Sequence, residues 1–205
     1  MDNGALEKTY LQHLKQPGVT ARSEGGIDAR GHITAWSHKV AAEKAGWGNS
    51  RSAGQGLGIA YHFSFGTHVA QVAEVSVNGK EGQLKVHKVT CALDCGKMVN
   101  PGIITAQMES GILMGLSAAL KERIEFVNGG VKSSNFYDYE ILRMSEVPDI
   151  EVHLVKSNEA MGGVGEPGLP PVAPTVGNAV FTITGVRMRR LPLTPKTVLE
   201  SVRQK

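Results

Sequence analysis

The segment from Val69 to Leu93 leaves the chain little freedom. Val69–Val77 reads as a strand, Asn78-Gly79-Lys80-Glu81-Gly82 supplies turn formers, and Leu84–Leu93 supplies the returning strand. This predicts a hairpin with Leu84, Val86 and Lys88 on one face and Val89 and Cys91 on the other. Ile59–Ser64 reads as a neighbouring strand of an antiparallel pair or meander. Asn100-Pro101 then starts a helix, Asn as cap and Pro at the first helical position. Ile104, Met108, Gly111, Ile112, Gly115, Leu116 and Ala119 mark one face of it at helical spacing. The small residues in that stripe predict close approach to another backbone.

Elsewhere the pattern is less regular. Leu6, Tyr10, Leu11 and Leu14 suggest a short helix closed by Pro17-Gly18, and Gly25–His32 reads as a strand end and turn. Ile33–Val40 alternates like a strand yet runs without a turn residue into a helix-compatible piece, Ala41–Trp47, an odd junction. Gly48–Gly58 reads as a loop. Ile124–Ser133 around Asn128-Gly129-Gly130 reads as a second hairpin and Ile150–Val155 as a strand. Met161–Pro174 reads as a Gly/Pro loop before a helix over Val172–Arg187, and Pro195–Val202 as a terminal helix. Strands and helices without regular βαβ repetition give an α+β class, mixed or antiparallel strands with packed helices.

Composition bounds the function. With 205 residues, 41% of them hydrophobic, and a net charge of only +3, the chain is expected to be globular rather than disordered. No run approaches the roughly 20 apolar residues of a membrane helix. The polar opening Met1–Lys8 lacks a secretory pattern, so the expected location is cytoplasmic. Arg187, Arg189 and Arg190 form the one dense cationic group, without interleaved aromatics, which speaks against nucleic acid. In a strand, Cys91 and Cys95 would lie about 13 Å apart, too far for a disulfide. Two thiols alone hold neither zinc nor an iron–sulfur cluster, and the seven histidines show no metal-ligand spacing, so no protein-ligated metal is expected.

Two residues stand out chemically. Glu166 lies in Gly162-Gly163-Val164-Gly165-Glu166-Pro167-Gly168, where glycines allow close backbone approach, main-chain N–H groups can meet an anion and the carboxylate can act as a base. On spacing alone a plain surface turn fits equally well. Gln107 carries an amide that both donates and accepts, although a solvent-facing glutamine is the ordinary reading.

Taken together, Asp94-Cys95-Gly96, Asn100-Pro101, Gln107-Met108-Glu109, Gly111, Gly115-Leu116, Ser134-Asn135-Phe136 with Tyr139, and Gly163-Val164-Gly165-Glu166-Pro167 resemble the C-terminal part of the molybdenum-binding subunit of the xanthine dehydrogenase and aldehyde oxidase family. Arg143-Met144, Pro148-Asp149-Ile150-Glu151-Val152-His153 and Arg189-Arg190-Leu191-Pro192 resemble its isoquinoline 1-oxidoreductase beta-subunit branch. The resemblance runs from about Ala42 to Leu193. It implies a molybdenum–pterin cofactor in its cytosine dinucleotide form, with no side chain ligating the metal. Glu166 would be the general base, Gln107 would hydrogen-bond the pterin, and the Gly163, Val164 and Gly165 backbone would approach the cofactor. N-heteroaromatic compounds or aldehydes would be hydroxylated with water-derived oxygen, and electrons would pass to iron–sulfur clusters on a small partner subunit.

The chain also departs from that family. Its subunits are several times longer, with upstream cofactor loops absent here, and some are expected to be periplasmic. Arg22–Val40 resembles a piece from well before the region that begins near Ala42, dividing the chain into a remnant at 1–41 and a molybdopterin-binding-type domain at 42–205. An internally deleted, truncated or split descendant is therefore expected. Ser110 replaces a glycine usual after Gln-Met-Glu, which would crowd the cofactor side. Two readings follow: part of an enzyme completed by an upstream molybdenum-subunit segment and an iron–sulfur subunit, or a non-catalytic remnant or interaction module. Apolar surface exposed by a deletion predicts self-association.

Overall fold

The computed structural model describes residues 35–203; the expected N-terminal helix and the Gly25–His32 turn lie outside them. Where Ile33–Val40 alternates, helix α1 runs over Ala35–Lys44, through residues 41 and 42 without a break. The strand expected there is therefore corrected to helix from Ala35 on. His38 and Ala41 are buried one turn apart, and the His38 ring lies 4.4 Å from that of Tyr61, so contact with the sheet decides the conformation where the local pattern misleads. The Arg51 guanidinium donates to the Ala45 carbonyl at 2.9 Å and lies 3.6 Å from Glu74, tying the end of this helix to the sheet.

The meander is present as β1 (Gln55–Ser64), β2 (Thr67–Val77) and β3 (Leu84–Asp94), each antiparallel to the next. Strand β1 begins at Gln55, inside the stretch expected to be loop. Asn78 shapes the β2–β3 turn, its side-chain oxygen accepting from the Lys80 and Glu81 amides at 3.0 and 3.4 Å. One feature of β3 differs from the alternation. Glu74 pairs with Lys88 but Val75 pairs with Val86, which leaves His87 as an extra residue in a bulge. Val86 and Val89 consequently enter the same core together with Cys91, correcting the expectation that they face opposite sides. The extra residue is not idle, since the His87 ring and the Ser76 hydroxyl lie 2.7 Å apart.

Helix α2 (Pro101–Leu120) starts as expected, Asn100 accepting from the Ile103 amide at 3.1 Å, and every residue of its predicted stripe is buried. By length and composition this helix could cross a membrane, which corrects the expectation that no run comes close. Its apolar stripe instead packs into the core with the sheet and with the helix over Val172–Thr184. A short hairpin, β4 (Phe126–Val127) and β5 (Gly130–Val131), turns through Asn128 and Gly129, both at positive φ. Strand β6 (Asp149–Leu154) then joins β3 in parallel, completing the order β1-β2-β3-β6. Helix α3 (Val172–Thr184) ends three residues before Arg187 because Gly185 takes a left-handed C-cap conformation. Arg187 folds back to lie 4.2 Å over the Phe181 ring. Helix α4 (Pro195–Arg203) closes the described chain.

Three layers result. The larger core lies between the sheet and helices α2, α3 and α4, and the smaller one lies between the opposite sheet face and α1. Gly58 shows how closely α3 sits on β1, since a methyl group there would overlap the Thr175 carbonyl and the Ala179 amide. The Asn178 amide also donates to the Ile59 carbonyl at 2.8 Å. Cys91 and Cys95 are both free and buried. Burial pushes the Cys91 thiol up to about 12, and burial with the nearby Asp94 carboxylate raises that of Cys95.

Gly58→Ala should lower the unfolding free energy by about 3 kcal/mol or more, because the clash is with backbone, whereas Gly79→Ala, which meets open space, should stay within about 0.5 kcal/mol in urea denaturation. Both cysteines should resist a thiol reagent at pH 8 in the folded chain and react at once when it is unfolded; rapid native labelling would show that the β3 core is looser than described.

Candidate active site

The loop that follows β6 is pinned to the sheet end by the residues around it. The Val155 amide extends the ladder by donating to the Leu93 carbonyl at 2.8 Å. Beyond it, the Asp94 carboxylate accepts from the Ser157 hydroxyl at 2.6 Å and from the Gly96 amide at 2.9 Å. Gly96 has φ +72°, and a side chain there would overlap the Ala160 carbonyl, so this position requires glycine twice over. The Gly162 amide donates to the Cys95 carbonyl at 2.9 Å, and the Gly163 amide donates to the Phe65 carbonyl at 2.8 Å. Thr67, at the start of β2, donates its hydroxyl to the Gly163 carbonyl at 2.7 Å.

The far side of the loop is anchored from inside the core. Gln71 is fully buried, and its amide donates to the Gly168 carbonyl at 2.7 Å. Gly168 in turn lies against α2, where a Cβ on it would sit 3.2 Å from the Met108 carbonyl and sulfur. A Cβ on Gly111 would come within 3.3 Å of Gly168 and Leu169 backbone, and one on Gly115 within 2.7 Å of the Val172 side chain. The predicted close approach of the small-residue stripe is thus to the end of this loop and the start of α3.

Between the two anchors the chain is open. Gly165 and Glu166 are exposed, and a Cβ on Gly165 would meet nothing within 4 Å. Val164 is half-buried and packs on the main core, which fixes the loop without enclosing it. Gln107 is exposed on α2, immediately before the Met108 that touches Gly168. The structure therefore brings Gln107 and Glu166 onto adjoining elements, each within two residues of the same backbone contact. No protein hydrogen bond or ion pair engages either side chain among the described residues. Gly163 differs from its neighbours, since its N–H and carbonyl are both bonded within the chain. Among the described residues no acceptor takes the N–H groups of Val164, Gly165 or Glu166, which leaves these loop donors open.

Ser110 is exposed on α2, one residue past Glu109. The Ser134–Tyr139 segment is folded around Asp138, whose carboxylate accepts from the Ser134 and Asn135 amides at 2.8 and 2.9 Å. Those amides hold Asp138 below the ordinary carboxylate range. Tyr139 donates to Glu122 at 2.8 Å, and the Leu142 amide donates to the Ser117 hydroxyl at 3.0 Å, fixing this segment to the end of α2. Of the residues that position the loop, Asp94 belongs to a motif that carries the resemblance, whereas Thr67, Gln71 and Ser157 carry no mark in the sequence. Gln71 could have been, as the one long polar side chain on the core-facing side of β2 among Val69, Ala73 and Val75.

The family model for the molybdopterin cofactor-binding domain matches residues 9–148, which include Gln107, while the Glu166 loop lies beyond the match. The beta chain of isoquinoline 1-oxidoreductase from Brevundimonas diminuta is 46% identical over 161 residues, 77% of this chain and 20% of that relative. The large subunit of nicotine 6-hydroxylase from Paenarthrobacter nicotinovorans is 30% identical over 150 residues, 69% of this chain and 18% of the relative. Among solved structures, the aldehyde oxidoreductase from Desulfovibrio desulfuricans superposes with a TM-score of 0.60 and 29% identity, over 66% of this chain and 15% of that one. The chain belongs to the molybdenum hydroxylase family of xanthine dehydrogenases and aldehyde oxidoreductases and comprises part of a molybdopterin cofactor-binding domain. Its relatives are molybdenum-cofactor oxidoreductases of several subunits, and it spans about a fifth of the length of the curated relatives named above.

Gln71→Leu should leave the Gly168 carbonyl buried without its donor at a cost of about 1–3 kcal/mol. Amide exchange should quicken across residues 159–170; a loop as protected as in the unchanged chain would show that Gln71 does not hold it.

Proposed function

We propose that the chain supplies the general base and part of the cofactor-binding surface of a molybdenum hydroxylase. The observation that carries this reading is a carboxylate, Glu166, and an amide, Gln107, both unengaged and exposed on adjoining elements that glycines pack together. These residues fit a pterin cofactor. Gln107 can donate to and accept from a heterocycle edge, and the Val164 and Gly165 amides can meet an anionic group across a loop with no Cβ at Gly163 or Gly165. When bound, the molybdenum–pterin group, expected in its cytosine dinucleotide form, supplies the redox centre and the water-derived oxygen. Glu166 would accept a proton at its carboxylate as general base, and the anchors at Gly163 and Gly168 hold that residue's backbone in place.

Substrates of the N-heteroaromatic or aldehyde class fit the relatives' names, with electrons leaving to an iron–sulfur partner subunit. An upstream molybdenum-subunit segment would supply the remaining cofactor contacts. A second reading, a non-catalytic remnant or subunit-interaction module, is favoured by the apolar side chains on the surface. Phe136 is 88% exposed, Met144 88% and Phe126 74%, although the chain's relatives are about five times longer.

Molybdenum content by elemental analysis and pterin content by fluorescence after oxidation should each approach one per chain in the reconstituted complex. In that complex, Glu166→Gln should lower turnover by about 100-fold or more with molybdenum content unchanged. Retained turnover would remove Glu166 from the base role, and a complex without molybdenum would favour the interaction module.

A further inference from the structure

The outer edge of β6 carries donors and acceptors that nothing in the described chain takes up. Because the Val155 amide faces Leu93 on β3, alternation by two turns the backbone groups of Glu151 and His153 towards β3 and those of Ile150, Val152 and Leu154 outwards. Among the described residues no hydrogen bond reaches those outward amides. The opposite edge of the sheet is treated differently, with the Asn178 amide donating to the Ile59 carbonyl of β1 and α3 packed on that strand. An open edge of six residues is a template for another strand.

The sequence of β6 is complementary to itself in one antiparallel register. With Val152 opposite Val152 of a second copy, Ile150 falls opposite Leu154, and these pairs contain all the outward-facing backbone groups, enough for six hydrogen bonds. Glu151 then falls opposite His153, twice, in the non-hydrogen-bonded positions where side chains approach most closely. The side chains of Ile150, Val152 and Leu154 lie half-buried on the margin of the main core, so pairing would extend that core across the two copies. On the opposite face, Glu151 already holds Lys88 at 2.7 Å and lies 3.0 Å from the His153 ring, and Asp149 lies 3.9 Å from Lys88. A second copy would bring the same alternating charges in reverse order. A shift by one residue would place core-side and outer-side chains opposite one another, and a shift by two would set Glu151 opposite Glu151 or His153 opposite His153, so the register is specified. We infer that β6 pairs with β6 of a second copy of this chain, giving a two-fold dimer with an eight-stranded sheet.

The full chain should sediment at about twice its 21.9 kDa mass, with the apparent dissociation constant raised at least about tenfold by Val152→Pro. That substitution removes an outward amide together with the half-buried Val152 side chain, so Val152→Ala, which keeps the amide, serves as the control, and unchanged circular dichroism of both variants would show the fold intact. Glu151→Lys and His153→Glu supply an independent check. Each alone places like or unpaired charges opposite one another and should weaken the dimer. Mixing the two variants sets the introduced lysine opposite the introduced glutamate and keeps native Glu151 opposite native His153, and should restore it. A monomer at every concentration up to the solubility limit, a dimer indifferent to Val152→Pro, or no restoration on mixing would each overturn the proposal.

Discussion

The contact between Gly168 and the Met108–Gly111 turn of α2 is the constraint on which the arrangement of the candidate site depends. With glycine on both sides of it, helix and loop backbones approach to a distance at which a single methyl group would be tight. Close approach alone would leave the Gly168 carbonyl stranded in the core, and the buried Gln71 amide answers that need. A helix stripe, a central strand and a loop are thereby joined at one point. Glu166 lies two residues before that point and Gln107 one residue from its other side.

This geometry explains why one part of the loop is rigidly held while the next is open. Thr67, Phe65 and Cys95 bond to residues 162 and 163, and Gln71 bonds to residue 168. In between, the Glu166 carbonyl accepts from the Leu169 amide at 2.9 Å, while among the described residues the Val164 and Gly165 amides and the Glu166 carboxylate take no partner from the chain. Held ends limit the conformational entropy of the segment between them, so any ligand that bound there would have less chain to order.

Much of the scaffold was legible because its signals are local. The Asn78–Gly82 turn, the Asn100 cap and the α2 stripe each rest on residues whose chemistry acts within a few positions. What failed to show was set by tertiary contact. The β3 bulge inserts His87 without a glycine or other mark in the sequence, and a single extra residue is enough to bring Val86 and Val89 to one face. Helix α1 forms where the pattern alternates because burying His38 and Ala41 against β1 and β2 outweighs local preference. The candidate site divides in the same way. Glu166 and Gln107 are legible from their local chemistry and from the motif resemblance, whereas the contacts by which Thr67, Gln71, Asp94 and Ser157 support the loop emerge only from the fold.

The openness of the site has a chemical consequence. General-base catalysis gains most where water is excluded, because field strength and proton affinity then depend on fixed groups rather than on solvent. Glu166 and Gln107 both face outward, and the described chain contributes a floor for a site without the walls that would dry it. The exposed aromatic and methionine side chains at Phe126, Phe136 and Met144 are what a surface presents when a further protein layer is meant to cover it. A chain that spans about a fifth of its relatives while keeping a packed three-layer core holds the Glu166 backbone by glycine contacts internal to it and leaves the carboxylate itself open to water.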